Sequence, residues 1–244
     1  PEQDLVYEAA MRGEAWAQTK LGKIYVASPD DAVRMERRMD LLRSAAEQDY
    51  AEALFELAKM ALAGRGMERS PSTAFDHMKR AAELGLPDAE YELASMYSDG
   101  RGTTKDPVAA LQWAQKAAAN SHPKATSAVG MIMLQSEDPS KQAEGLAMLK
   151  RAVEAGSTDA ALTLATAYAR GDRGLPRDES AAEALLKKEA EDGDAECQFA
   201  LASLYQFGEA FAARRGEAQM WLQRAADQGH PQAWEVLRSE SEER

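Results

Sequence analysis

A small residue followed four positions later by a larger apolar one marks the chain seven times: Ala17/Leu21, Ala53/Leu57, Ala89/Leu93, Ala125/Val129, Ala160/Leu164, Cys197/Leu201 and Ala233/Leu237. A spacing of four puts both residues on one face of a helix. The leading residues follow one another at steps of 36, 36, 36, 35, 37 and 36. A second apolar column keeps the same period, through Ala9-Ala10, Ala45-Ala46, Ala81-Ala82, Ala117-Ala118, Ala152-Val153, Ala190 and Ala225-Ala226. Two amphipathic helices per period, neither able to bury its apolar face alone, are the pattern of stacked helical hairpins.

The pattern predicts an all-α chain, an α/α superhelical solenoid of about six hairpins with a partial repeat at each end. Residues 1–14 read as the end of a second helix. Full repeats span 15–50, 51–86, 87–122, 123–157, 158–194 and 195–230, and 231–244 supply a closing first-type helix and tail. About fourteen helices result, one opening, twelve paired and one closing. Glu52, Asp88, Asp159 and Glu196 stand at the starts of first helices, where a carboxylate suits the helix dipole. Gly64, Gly100, Gly171 and Gly208 end those helices and are expected to be left-handed. Ser70-Pro71, Asp106-Pro107 and Asp138-Pro139 open second helices with a capping side chain and a proline in the first turn. Gly85, Gly156, Gly193 and Gly229 close them. Two units depart from the rule. Ser28–Arg38 lacks the glycine turn and puts Arg38 into a column of small residues, so that hairpin is expected to be looser. The fourth unit also lacks the glycine and is one residue short.

Composition narrows the function. The 244 residues carry 29 Lys and Arg against 41 Asp and Glu, a net charge of −12. That balance speaks against nucleic acid, whose phosphates require a basic footprint, and against anionic membrane surfaces. No run approaches the ~20 apolar residues of a membrane span. One cysteine excludes a disulfide within the chain. The sequence begins at Pro1 without an initiator Met, which is read as the removal of a preceding segment.

Nothing in the sequence calls for a cofactor, a metal or a catalytic centre. His122-Pro123 and His230-Pro231 lie three repeats apart at equivalent junctions and read as turn residues, and His77 stands alone on a second helix. Gly64-Arg65-Gly66 and Gly100-Arg101-Gly102 lack the preceding strand of a phosphate or dinucleotide loop and read as hairpin turns. Cys197 occupies a column otherwise held by alanine, the place of a small buried residue.

The spacing A-x3-L-[GA]-x2-[YM]-x2-G-x-G, followed by D-P-x2-A-x2-[WM]-x3-AA-x2-G, resembles the Sel-1-like repeat family, a subclass of tetratricopeptide-like helical repeats, over essentially the whole chain. The resemblance implies a right-handed superhelix with first helices along its concave face, adaptor or scaffold work by protein binding, and a periplasmic or otherwise exported address. It also admits a second reading, a dedicated immunity-type inhibitor of a secreted effector or toxin, with contacts through the turn arginines Arg65, Arg101 and Arg173. On the implied groove, the positions two before, two after and five after the repeat leucine face a partner. Phe55, Tyr91, Leu162 and Phe199 are candidate apolar anchors there, Lys23 and Lys59 polar contacts, and Met131 a further contact; Val26, Leu62, Ala169 and Gln206 share the stripe. Packing against the neighbouring unit accounts for the four anchors equally well. The partner is expected to be a protein with apolar and basic side chains, and no oligomeric state follows from the sequence.

Overall fold

The computed structural model describes residues 2–25, 32–171 and 174–242. Among them the chain is helical throughout, with no strand. The α-helices in order are α1 (Glu2–Met11), α2 (Ala15–Ile24), α3 (Ala32–Glu47), α4 (Ala51–Ala63), α5 (Pro71–Glu83), α6 (Pro87–Asp99), α7 (Pro107–Ala119), α8 (Pro123–Leu134), α9 (Pro139–Glu154), α10 (Thr158–Arg170), α11 (Glu179–Glu191), α12 (Ala195–Phe207), α13 (Arg215–Asp227) and α14 (Pro231–Glu242). Val26 and Arg173, and most of the stretch before α3, lie outside the described residues.

The chain divides into two compact units, residues 1–125 and 126–244. In the first, α2 pairs with α3, α4 with α5 and α6 with α7, and each pair packs on the next. In the second, α10 pairs with α11 and α12 with α13, while α9 packs on α10 and α14 on α13. The alanine column is what permits this closeness. Ala17, Ala53, Ala89, Ala125, Ala160, Cys197 and Ala233 are all fully buried. Leu57 and Leu93, one turn further along their helices, join Leu42, Leu54 and Met78 in the core of the first unit. Leu201, Trp221, Leu222 and Tyr205 do the same in the second.

Local chemistry explains the boundaries. Ser70 accepts from the Thr73 N–H, Asp106 from the N–H groups of Val108 and Ala109, and Asp138 from that of Ser140. In each case proline follows, where the missing N–H has no helical partner to lose. Gly64, Gly100 and Gly171 close their helices in the left-handed conformation. At the ends of second helices, Asp49 and Ser121 adopt positive φ (59° and 62°) in a column that is otherwise glycine.

Gly208 breaks the expectation of a left-handed turn. Its backbone is extended, with φ −70° and ψ 134°. Glycine is needed there for space instead: a Cβ would collide with the Leu204 carbonyl oxygen. The chain runs on through a short 3-10 turn, Ala212–Arg214, that buries Phe211 edge-on against Tyr205. The loop is tied down from the preceding hairpin by Glu179. This buried carboxylate stands where other second helices carry proline, and it accepts from the Ala210 N–H at 2.7 Å and the Glu209 N–H at 3.2 Å. Arg38, in its small-residue column, is also accommodated by an ion pair, to Glu56 at 3.2 Å.

Candidate functional site

Positions two before, two after and five after the repeat leucine are spaced i, i+4, i+7, one stripe along a helix. In the second unit the stripes of α10 and α12 meet. Leu162, Thr166 and Ala169 from α10 line a cleft with Phe199, Ser203 and the exposed Phe207 from α12. The hydroxyls on its floor are turned inward: Thr166 donates to the Leu162 carbonyl at 2.8 Å and Ser203 to that of Phe199 at 3.0 Å. The floor therefore presents apolar surface. Phe207 stands at the rim with 75% of its surface open to solvent. Arg170 also lines the cleft and makes no ion pair among the described residues, whereas Arg177 is held by Glu179.

In the first unit the same columns gather in two places. Phe55 and Tyr91 share a hollow with Asp88, Glu92, His122 and Lys124. Lys23 and Lys59 share another with Arg38, Glu56, Leu62 and Arg65. The candidate residues thus fall into three groups: Phe55 with Tyr91, Lys23 with Lys59, and Leu162 with Phe199. Met131 lines none of these clefts. It packs against the cluster around Leu134 and Leu164, and its sulfur accepts from the Thr163 hydroxyl at 3.0 Å.

The anchor residues are half-buried and also touch the next unit. The Tyr91 ring stacks on the imidazole of His122, with centroids 4.5 Å apart, and Phe199 stacks on His230 at 4.6 Å. Both histidines are helix caps. The Ala125 N–H donates to His122 Nδ1 at 3.1 Å and the Ala233 N–H to His230 Nδ1 at 3.2 Å, where other units use Ser157 or Asp194. An accepting Nδ1 places the proton of a neutral ring on Nε2, which faces Asp88 at 3.4 Å in one case and Glu196 at 3.2 Å in the other. Burial lowers the pKa of His122, outweighing the opposing pull of Asp88. The Cys197 thiol is pushed up to about 12 by burial and then by the Asp194 carboxylate, so it carries no thiolate at neutral pH. No group of three or more His, Cys, Asp or Glu among the described residues could hold a metal ion. No helix among them is long and apolar enough to cross a membrane.

The profile of the Sel1 repeat matches residues 51–86, 87–122, 158–194 and 195–230, more than half of the chain. The chain belongs to the Sel1 repeat family. Solved structures agree in fold. A Sel1 repeat protein from Oxalobacter formigenes is 27% identical over 97% of this chain and 68% of its own length, with a TM-score of 0.64. A protective antigen of uropathogenic Escherichia coli is 24% identical with a TM-score of 0.62; the match covers 95% of this chain but 57% of the antigen. An immunity protein from Pseudomonas aeruginosa is 20% identical over 93% of this chain and 83% of its own, with a TM-score of 0.51. No curated protein matches the chain. Sel1 repeats are protein-interaction scaffolds.

Two features of these Sel1 repeats escape a reading of the groove columns alone. Phe207 lies six residues after its repeat leucine, in a column held elsewhere by Ala63, Asp99 and Arg170; a large apolar residue out of register was its signal. Arg38 was visible as an intruder among small residues, but its partner Glu56 belongs to the following repeat and to no column that the period singles out.

Proposed function

We propose that this chain is a non-enzymatic adaptor that holds a segment of a protein partner against the exposed stripes of its first helices. The observation that supports it is the cleft of α10 and α12. Its floor is apolar, its hydroxyls are internally bonded, and Phe207 is offered to solvent at the rim. An exposed phenyl beside an apolar floor suits an aromatic or aliphatic anchor of a partner, the arrangement from which binding hot spots are made. Leu162 and Phe199 form the floor, and Phe55 and Tyr91 play the corresponding part in the first unit. The immunity protein from Pseudomonas aeruginosa is 20% identical, and that likeness carries the fold alone.

The test is a parallel affinity capture with three forms of the full chain: unchanged, Phe207→Glu and Cys197→Ala. Phe207 is exposed, so its replacement leaves the fold intact, and Cys197→Ala alters a buried column that already accepts alanine six times. A partner retained by the unchanged chain and by Cys197→Ala but lost by Phe207→Glu supports the reading. A partner retained equally by all three would move the interface away from this cleft.

A further inference from the structure

The first unit carries a second, chemically different cleft, formed by α2, α3, α4 and the turn after α4. Four cationic side chains line it, Lys23, Arg38, Lys59 and Arg65, with the carboxylate of Glu56 among them. In a chain of net charge −12 this is a local reversal of sign. Glu56 bridges two of the four: Arg38 Nη2 lies 3.2 Å from one oxygen and Lys59 Nζ 3.1 Å from the other. Lys23 and Arg65 make no ion pair among the described residues. Arg38 is buried, with 8% of its surface exposed, and its Nε–H has no hydrogen-bond partner among the described residues. A guanidinium N–H withdrawn from water and left unpaired is an unfavourable arrangement.

We infer that this cleft binds the side-chain carboxylates of an acidic segment on the partner. The inference rests on the adaptor reading, and it assigns to Lys23 and Lys59 a ligand of opposite charge to the basic partner that the overall acidity suggests. Four cations against one resident carboxylate leave room for further negative charge. Lys23, Lys59 and Arg65 are the exposed cations that can reach a carboxylate, while the buried Arg38 holds Glu56 in place beside them. A phosphate dianion fits less well, because its second negative charge doubles the repulsion from the Glu56 carboxylate that any anion in the cleft meets. Met60, Leu62 and Ala63 complete the lining, so an acidic segment with interspersed apolar residues matches both halves of the surface.

The probe is a fluorescein-labelled, C-terminally amidated peptide of glutamate and leucine residues, titrated with the full chain by anisotropy. Its counterpart carries glutamine in place of every glutamate. The glutamate peptide should bind about tenfold or more tightly than the glutamine one, and the advantage should shrink as salt is raised. Lys23→Glu with Lys59→Glu, both exposed, should abolish most of that advantage, and Arg38→Met should reduce it several-fold. Equal affinity for the two peptides would overturn the carboxylate assignment while leaving the adaptor reading in place. Binding of neither peptide, or an advantage untouched by the double lysine variant, would overturn it too, and the Phe207 comparison would then judge the adaptor reading separately. Displacement of the probe by inorganic phosphate at lower concentration than by acetate would reassign the cleft to phosphate.

Discussion

Replacing Glu179 with alanine should release the loop that follows α12, and the size of the effect can be worked out contact by contact. The carboxylate accepts from two backbone N–H groups, Ala210 at 2.7 Å and Glu209 at 3.2 Å, and it pairs with Arg177. A hydrogen bond to a charged group contributes about 1.5–3 kcal/mol. Ala210 and Glu209 are themselves exposed, so water replaces the lost acceptor in part and the lower figure applies. Arg177 is about half-exposed, so its ion pair is screened by solvent and adds little to the total. Two such bonds give an expected loss of about 3 kcal/mol for Glu179→Ala. Glu179→Gln keeps one acceptor oxygen and turns an amide donor towards the other N–H, so about half of that loss is expected. Amide hydrogen exchange at Glu209 and Ala210 is the direct assay, and a loss of about 3 kcal/mol corresponds to about 150-fold faster exchange if the loop opens locally. The pH dependence gives an independent check. Burial acts to raise the Glu179 pKa, but the Ala210 N–H, the Arg177 guanidinium and the Glu209 N–H together hold it below the ordinary carboxylate value. A depressed folded-state pKa means stability that is fully present above the unfolded value of about 4.5 and is lost as pH falls below it. Unchanged exchange at both amides in Glu179→Ala would refute the tether.

Three further outcomes follow from the same structure. Ser121 adopts φ 62° where glycine stands in most units, so Ser121→Gly should stabilise the chain by about 1 kcal/mol, read as a higher urea midpoint. Burial lowers the His122 pKa, so its contribution is complete above the unfolded value of about 6.5 and declines as the pH falls below it; His122→Asn, which can still cap α8, should flatten that part of the urea-midpoint profile relative to the unchanged chain. The Cys197 thiol should resist a disulfide reagent at neutral pH in the folded chain and react at once in denaturant, and rapid labelling of the folded chain would contradict its burial.

How much of this was legible in the sequence depends on whether a contact repeats. The alanine columns, the Ser70, Asp106 and Asp138 caps and the left-handed Gly64, Gly100 and Gly171 each answer a requirement that recurs in several units, so the period reveals them. Gly208 misled because it occupies the same place without the same need. Its loop is organised by Glu179, a residue one repeat earlier whose role is shared with no other unit. The columns of the candidate site could be read as a stripe, but not which residues would meet: Lys23 joins Lys59, while Met131 is absorbed by packing. His122 and His230 were legible as junction residues. Their stacking on Tyr91 and Phe199 was not, because it requires the ring of one unit to reach the cap of the next.

The X-Pro junctions give the chain natural points of recombination. Leu86-Pro87, His122-Pro123 and His230-Pro231 place proline at the same point, at the start of a first helix. Loss of 87–122 would join Leu86 directly to Pro123, restoring a junction of the kind it removed. The excised segment takes with it both Tyr91 and His122, and both Glu90 and Asn120, whose side chains bond at 2.9 Å. Most of the contacts left open come from the alanine and leucine columns, which the next unit also carries, while Phe75 exchanges its edge-on partner Tyr97 for Met133 at the equivalent position. Duplication or deletion of one unit can therefore lengthen or shorten the row of first-helix stripes while the core stays the same, so a lineage can vary that surface without first solving the problem of folding again.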